Sequence, residues 1–215
     1  MVTALANGAE AIVPVSEIAE ALEIKRKEPD ILLAGERDGL RIDAKLTGSI
    51  PFDLGNSPRE FTKDKVAGKK IVMTTTNGTR ALRSCAHAKT VLVSSFLNLQ
   101  ATRDYTQRFL DLHMLVICSG TFEQAALEDV LAAGALCEFL YSNHCNLAYS
   151  DSVLIAANLF LPAHRDLNLV MSQSRNARRL LSRPELRDDV AYCAQRDIYD
   201  LVAEMGKDGL VTKLW

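Results

Sequence analysis

Long apolar runs are missing from this sequence. No stretch of about 18 apolar residues occurs, so no membrane-spanning helix is indicated. The N-terminus has no basic segment followed by an apolar one, so no secretory signal is read. Aromatic residues are few, 6% with one tryptophan, and neither sign of charge dominates: the formal net charge is -2. A nucleic-acid partner is therefore not expected. The five cysteines, Cys85, Cys118, Cys137, Cys145 and Cys193, are odd in number and form no CxxC pair. That argues against a disulfide scaffold and for reduced thiols in a cytoplasmic protein. The set Cys137, His144 and Cys145 lacks any standard zinc spacing. No repeat, low-complexity tract or Pro/Gly-rich linker interrupts the chain. At 215 residues the first expectation is one domain spanning 1–215, with two subdomains divided near 120–150 as the alternative.

What is present is a pair of polar, glycine-bearing segments in otherwise apolar surroundings: Asp53-Leu54-Gly55-Asn56-Ser57-Pro58-Arg59-Glu60 and Thr74-Thr75-Thr76-Asn77-Gly78-Thr79-Arg80. The second follows the strand-like run Lys70–Met73 and precedes the helix-like run Ala81–Cys85. A loop from strand end to helix start points N–H groups outward at the positive end of the helix dipole, which suits an oxyanion such as phosphate. Arg59 and Arg80 add guanidinium forks. Asn-Gly and Ser-Pro are also ordinary turn formers, so each segment alone reads equally well as a turn. Their combination with Asp53 and two arginines favours an anion site.

Strands are expected at Glu10–Val15, Ile31–Ala34, Lys70–Thr75, Thr90–Ser94 and His113–Cys118, with a late one at Ile198–Val202. Helices are expected over 1–6 (ending at Asn7-Gly8), 16–27 (with Ser16 as N-cap), 79–87, 100–110, 124–141, 151–161 and 172–196. Residues 38–69 have little periodicity. This alternation predicts an α/β fold, a three-layer α/β/α arrangement on a largely parallel or mixed sheet. In such sheets ligands bind beyond the carboxyl ends of the strands, where Glu36, Thr76, Ser95 and Ser119 fall. The helix over 124–141 is apolar almost all round, so Glu128 and Asp129 stand out at its start. They read either as partners of the helix dipole or as metal or catalytic carboxylates. The arginine-rich run 172–196 reads as a solvated face.

Four segments resemble the 2-phosphosulfolactate phosphatase family in order and spacing: Leu33–Arg37, Phe52–Glu60, Thr74–Ala81 and Leu127–Gly134. The likeness runs nearly end to end and loosens after about residue 140. It implies magnesium-dependent hydrolysis of phosphosulfolactate to sulfolactate and phosphate, a step in coenzyme M synthesis. Members usually carry an Asp-Val-Leu-Arg-Ala-Thr-Ser-Thr stretch just before the segment matching Val2–Gly8. The sequence begins at Met1 without it, and reduced activity is the corresponding expectation.

The residues favour metal-assisted hydrolysis over other phosphoryl chemistries. No Asp-x-Asp nucleophile, Arg-His-Gly, P-loop or His-Glu-x-x-His motif occurs, and neither Cys85 nor Cys118 is followed six residues later by arginine. Magnesium prefers oxygen ligands, and Glu36, Asp53, Glu128 and Asp129 offer them. The catalytic candidates are Asp53, Glu128, Asp129 and Arg80. The substrate-binding candidates are Arg37, Asn56, Ser57, Arg59, Thr75, Thr76, Asn77, Gly78, Thr79, Ser119 and Gly120. His87, His113, His144 and His164 lie outside these loops. The alternatives are a catalytically impaired phospho-ligand binder, and a structural subunit whose open sheet edge is covered by another chain. Such an edge also makes a homo-oligomer an option.

Overall fold

The structure is a computed structural model that describes residues 1–144 and 147–214. Cys145, and with it the Cys137, His144, Cys145 alternative, lies outside the described residues. The chain gathers into two compact units. One comprises residues 1–93 with 201–215, the other residues 94–200.

The first unit holds strands β1 (Ala11–Pro14), β2 (Leu32–Arg37), β3 (Leu40–Arg41), β4 (Lys70–Thr74), β5 (Leu92–Val93), β6 (Ala203–Met205) and β7 (Val211–Lys213). They form one sheet in the order β3-β2-β4-β1-β7-β6-β5. The strands β2, β4 and β1 run parallel, with Leu33 opposite Val72 and Val13 opposite Val72 on the other side. The remaining pairs are antiparallel, so the sheet is mixed. The central strand β4 carries Ile71-Val72-Met73, all buried, as a strand covered on both faces should.

Helices α1 (Val2–Ala6), α2 (Ile18–Lys27), α3 (Ala44–Thr47), α4 (Lys63–Val66) and α5 (Gly78–Ser84) complete this unit. The apolar stripe of α2 (Ile18, Ala21, Leu22, Ile24) packs on Val15, Ile31, Leu33, Ile42, Phe52 and Val72. Its last turn carries Lys25, Arg26 and Lys27, complementary to the helix dipole. Its N-cap is Glu17 rather than Ser16. Glu20 takes up the slack by accepting the Ser16 amide at 3.2 Å. The region 38–69 holds more structure than its weak periodicity suggests. Short elements stabilised by local bonds do not need a hydrophobic period: Asp43 caps α3 by accepting from the amides of Lys45 and Leu46.

The second unit contains α6 (Leu99–Thr106), α7 (Leu127–Asn143), α8 (Asp151–Ala163), α9 (Leu167–Ser172), α10 (Arg175–Leu181) and α11 (Arg187–Cys193). Its core joins Phe96 and Leu99 to Leu131, Ala135, Leu136 and Leu140 of α7, to Phe160 and Ala163 of α8, and to Leu167 and Met171 of α9. Three expectations fail in or at the edge of this unit. His113–Cys118 forms no strand; the run pairs with no strand among the described residues, and Leu115 and Ile117 are 71% and 55% exposed. The single helix expected over 172–196 is three, broken at the Ser174 cap and near Pro184, which cannot supply a helical N–H. The late strand starts at Ala203, because Tyr199 donates its amide to Leu97 instead of to a sheet.

Helices α7 and α8 approach closely at Gly134. A Cβ there would stand 2.1 Å from the Ala156 carbonyl oxygen. On a free helix surface Gly→Ala raises stability by about 1 kcal/mol. Here Gly134→Ala should lower it by about 1–3 kcal/mol through overpacking. Urea unfolding checks the sign, and a raised midpoint would mean that the two helices do not touch at this position.

Candidate functional site

In the first unit the carboxyl ends of the three parallel strands converge. Ser16 follows β1, Glu36 and Arg37 end β2, and Thr74 ends β4. The Ser16 carbonyl accepts from the Thr74 hydroxyl at 3.2 Å and from Arg37 Nη2 at 3.4 Å. Arg37 Nη2 also donates to Thr74 Oγ1 at 3.0 Å, and Nη1 to the Glu36 carbonyl at 2.8 Å. Arg37 is thus a strut joining three strand ends.

Glu36 is buried and divides its carboxylate between two loops. Oε2 accepts the Gly39 amide and Oε1 the Thr76 amide, each at 2.8 Å. The loop beyond β4 is closed by its own hydroxyls. Thr79 Oγ1 accepts the Thr75 amide, and Thr75 Oγ1 accepts the Thr79 amide, both at 3.1 Å. Three amides of the loop, at Thr75, Thr76 and Thr79, are therefore committed within the protein. Asn77 and Gly78 have no acceptor for theirs among the described residues. The Arg80 side chain is exposed and makes no ion pair or hydrogen bond among the described residues.

The Asp53–Glu60 segment lies along the other side of β2. Leu54 exchanges main-chain bonds with Leu33 and Gly35, while Gly35 faces Thr74 on β4. A Cβ on Gly35 would stand 2.1 Å from the Thr74 carbonyl oxygen, so only glycine permits this approach. The two polar segments thus flank one residue. Asp53 turns back toward the start of β2: Oδ2 accepts the Leu33 amide at 2.8 Å and stands 3.9 Å from Lys25 Nζ. Glu60 closes the segment by accepting the Gly55 amide at 2.9 Å. Asn56 and Arg59 are exposed, and Ser57 is buried.

The second unit holds a separate cluster at the start of α7. Asp129 Oδ2 accepts the Gly120 amide at 2.8 Å and the Ser119 hydroxyl at 3.1 Å. Burial pushes the Asp129 carboxyl up from its ordinary value, while these two bonds pull it back. Burial, then the charge of Asp129, also raises the neighbouring Cys118 thiol. Glu128 Oε1 accepts from Asn176 Nδ2 at 2.5 Å. Glu128 Oε2 is shut away from solvent and has no hydrogen-bond partner among the described residues. Thr121 and Gln124 exchange main-chain bonds across Phe122 and Glu123, both at positive φ (51° and 57°). Arg175 holds this turn from α10, donating to Gln124 Oε1 at 2.8 Å and to the Thr121 carbonyl at 3.0 Å.

Ser119, Gly120, Glu128 and Asp129 are thus brought together as a group. Glu36, Arg37 and Thr75–Thr79 form another, while the Asp53 carboxylate serves the opposite end of β2. The sequence reading missed Ser16, Thr121, Arg175 and Asn176. The last lies 48 residues beyond Glu128, in a run that reads as solvated. Only Ser174, which caps α10, hints that this part of the run is held in place.

A family model for 2-phosphosulpholactate phosphatase matches residues 1–208. The chain belongs to this family. A protein of Caldanaerobacter subterraneus named "Probable 2-phosphosulfolactate phosphatase" is 37% identical over 215 residues, covering 97% of this chain and 83% of its own length. One of the same name from Caldicellulosiruptor saccharolyticus is 35% identical over 209 residues, covering 95% and 83%. A third, from Pseudothermotoga lettingae, is 37% identical over 212 residues, covering 98% and 86%. Membership makes the chain one of the phosphoric monoester hydrolases.

If the Glu36 carboxylate holds the two loops, Glu36→Gln must loosen them. A glutamine offers one carbonyl oxygen, and its NH₂ group would face an N–H. The expected loss is about 1.5–3 kcal/mol, with faster amide exchange at Gly39 and Thr76. Unchanged exchange at both amides would contradict this bonding.

Proposed function

We propose that the chain is a magnesium-dependent phosphatase hydrolysing 2-phosphosulfolactate, or a similar small phosphorylated acid, to sulfolactate and phosphate in coenzyme M biosynthesis. The substrate class rests on the names of the relatives. The observation that carries the metal is Glu128 Oε2, buried and unpartnered next to the carboxylate of Asp129. A buried acceptor without a partner is costly unless something compensates it, and a cation would do so.

Among the described residues, no three His, Cys, Asp or Glu side chains gather closely enough to cage an ion. Magnesium is commonly held by only one or two protein carboxylates. Glu128 and Asp129 are the residues that would hold it. When bound, the ion would supply charge neutralisation and a more acidic water. Glu36 has both oxygens engaged by amides and is assigned to holding the loops. Asp53, tied to Leu33 and Lys25, is assigned to holding its segment.

Within the first unit, taken by itself, an anion falls to groups without a prior commitment. Arg80 offers a planar fork to phosphate oxygens, and Asn77 and Gly78 offer their amides. Arg59 is exposed and, while it has a contact of its own, is assigned to a second acidic group of the substrate. Arg37 contributes by keeping the strand ends together. Among the described residues no helix is long and apolar enough to cross a membrane; the cytoplasmic setting is part of the proposal.

Phosphate release from phosphosulfolactate should vanish with EDTA and return with Mg²⁺. The Glu128→Gln, Asp129→Asn double variant should lose at least about 100-fold in kcat/KM. Metal-independent turnover in that variant would refute the reading, and phosphate binding without any turnover in the wild type would make the chain a binding protein instead. Arg80→Lys keeps the charge but loses the fork, and should weaken phosphate binding about tenfold by calorimetry. Unchanged affinity would remove Arg80 from the site.

A further inference from the structure

Asn176 lies in the arginine-rich run beyond α9, on a helix whose sequence gives no sign of a site. Its side-chain amide nevertheless reaches back to the start of α7. The Nδ2 group carries two hydrogens, and both are used: one bond goes to Glu128 Oε1 at 2.5 Å, the other to Thr121 Oγ1 at 2.8 Å. A carboxylate oxygen only accepts, so the group facing it must be the NH₂ end; the orientation of this amide is fixed by its partner.

The consequence is an asymmetric carboxylate. One oxygen of Glu128 is pinned by Asn176, while the other is buried and has no hydrogen-bond partner among the described residues. Without the pin the side chain has three rotatable bonds with which to turn its unpaired oxygen toward solvent. The pin itself is anchored. Thr121 is buried, and its carbonyl is held by Arg175 from the same helix that carries Asn176. Groups that fix a ligand's orientation from behind are commonly worth 10–100-fold in metal affinity or activity.

We infer that Asn176 is the positioning residue of the Glu128 carboxylate, holding Oε1 so that Oε2 stays presented to a divalent cation. The inference rests on the metal-dependent reading above and adds to it a residue that touches neither metal nor substrate.

The test uses the full chain with Mn²⁺ as a spectroscopic stand-in for Mg²⁺. Binding is read by electron paramagnetic resonance without substrate, and the Mg²⁺ concentration for half-maximal phosphate release is read separately. Asn176→Ala should weaken Mn²⁺ binding and raise the Mg²⁺ midpoint, each by about 10–100-fold, with a smaller change in the substrate KM at saturating Mg²⁺. Asn176→Gln, which keeps the amide on a longer stem, should recover part of the loss. Ser174→Ala serves as a control for mere weakening of the helix: it should lower the Tm and leave Mn²⁺ affinity in place. Equal Mn²⁺ affinity in Asn176→Ala and wild type, with the wild type metal-dependent, overturns the inference alone. So does a loss in Ser174→Ala as large as in Asn176→Ala. A wild-type chain that neither binds Mn²⁺ nor responds to Mg²⁺ overturns the functional reading, and this inference with it.

Discussion

The Glu36 carboxylate is the constraint on which the first unit's strand-end rim depends. Parallel strands leave their final amides without a partner on the next strand, and the loops that follow must find acceptors elsewhere. Glu36 supplies two at once, one to the turn between β2 and β3 and one to the threonine loop beyond β4. The close passage of Gly35 beside the Thr74 carbonyl makes this reach possible. With the loop pinned at Thr76 and latched between Thr75 and Thr79, its remaining freedom lies at Asn77 and Gly78. The amides left for a ligand are therefore the ones at the tip.

The second unit applies the same chemistry to a different end. Asp129 is satisfied on one oxygen by the Gly120 amide and the Ser119 hydroxyl, which fix the chain entering α7. Glu128 is satisfied on one oxygen only, and by a side chain rather than by the main chain. An acceptor for backbone amides is part of the architecture, because removing it leaves buried N–H groups orphaned. An acceptor whose lone pairs find no donor among the described residues has no such part in holding the main chain. The turn at Phe122 and Glu123 fits this pattern: two non-glycine residues at positive φ are costly, and they persist where neighbours such as Arg175 hold them.

The sequence made some of this legible and hid the rest, for physical reasons. The strands β1, β2 and β4 and the helix α2 follow from apolar runs and a helical stripe, since burial imposes those periods on the chain. Strand ends followed by polar loops marked Glu36 and Thr76 as rim residues, whereas Ser119 was placed on the rim by a strand that does not form. Glu128 and Asp129 were visible because charge at the head of an apolar helix is conspicuous. Asn176 was not, because a hydrogen bond to a partner 48 residues away leaves no period and no motif. The antiparallel strands β6 and β7 were obscured for a similar reason: three-residue strands are shorter than any window in which alternation can be read. His113–Cys118 misled in the opposite direction, being apolar enough for a buried strand without having a strand to pair with.

Accounting for each oxygen and nitrogen separates residues that composition treats alike. Four acids offered themselves as metal ligands. Glu36 accepts two amides, and Asp53 accepts one beside a lysine. Asp129 accepts an amide and a hydroxyl on the same oxygen, and Glu128 keeps one oxygen unpaired. The arginines divide in the same way. Arg37 donates to two carbonyls and a hydroxyl of the strand ends, whereas Arg80 has no such bond among the described residues. A guanidinium already bonded to the main chain must break those bonds to hold a phosphate, so its gain on binding is small. One that exchanges only water for phosphate oxygens keeps the whole charge-assisted gain. The same exchange favours Glu128 over Glu36 as a ligand for a cation, since nothing in the fold has to be undone for its free oxygen to bind.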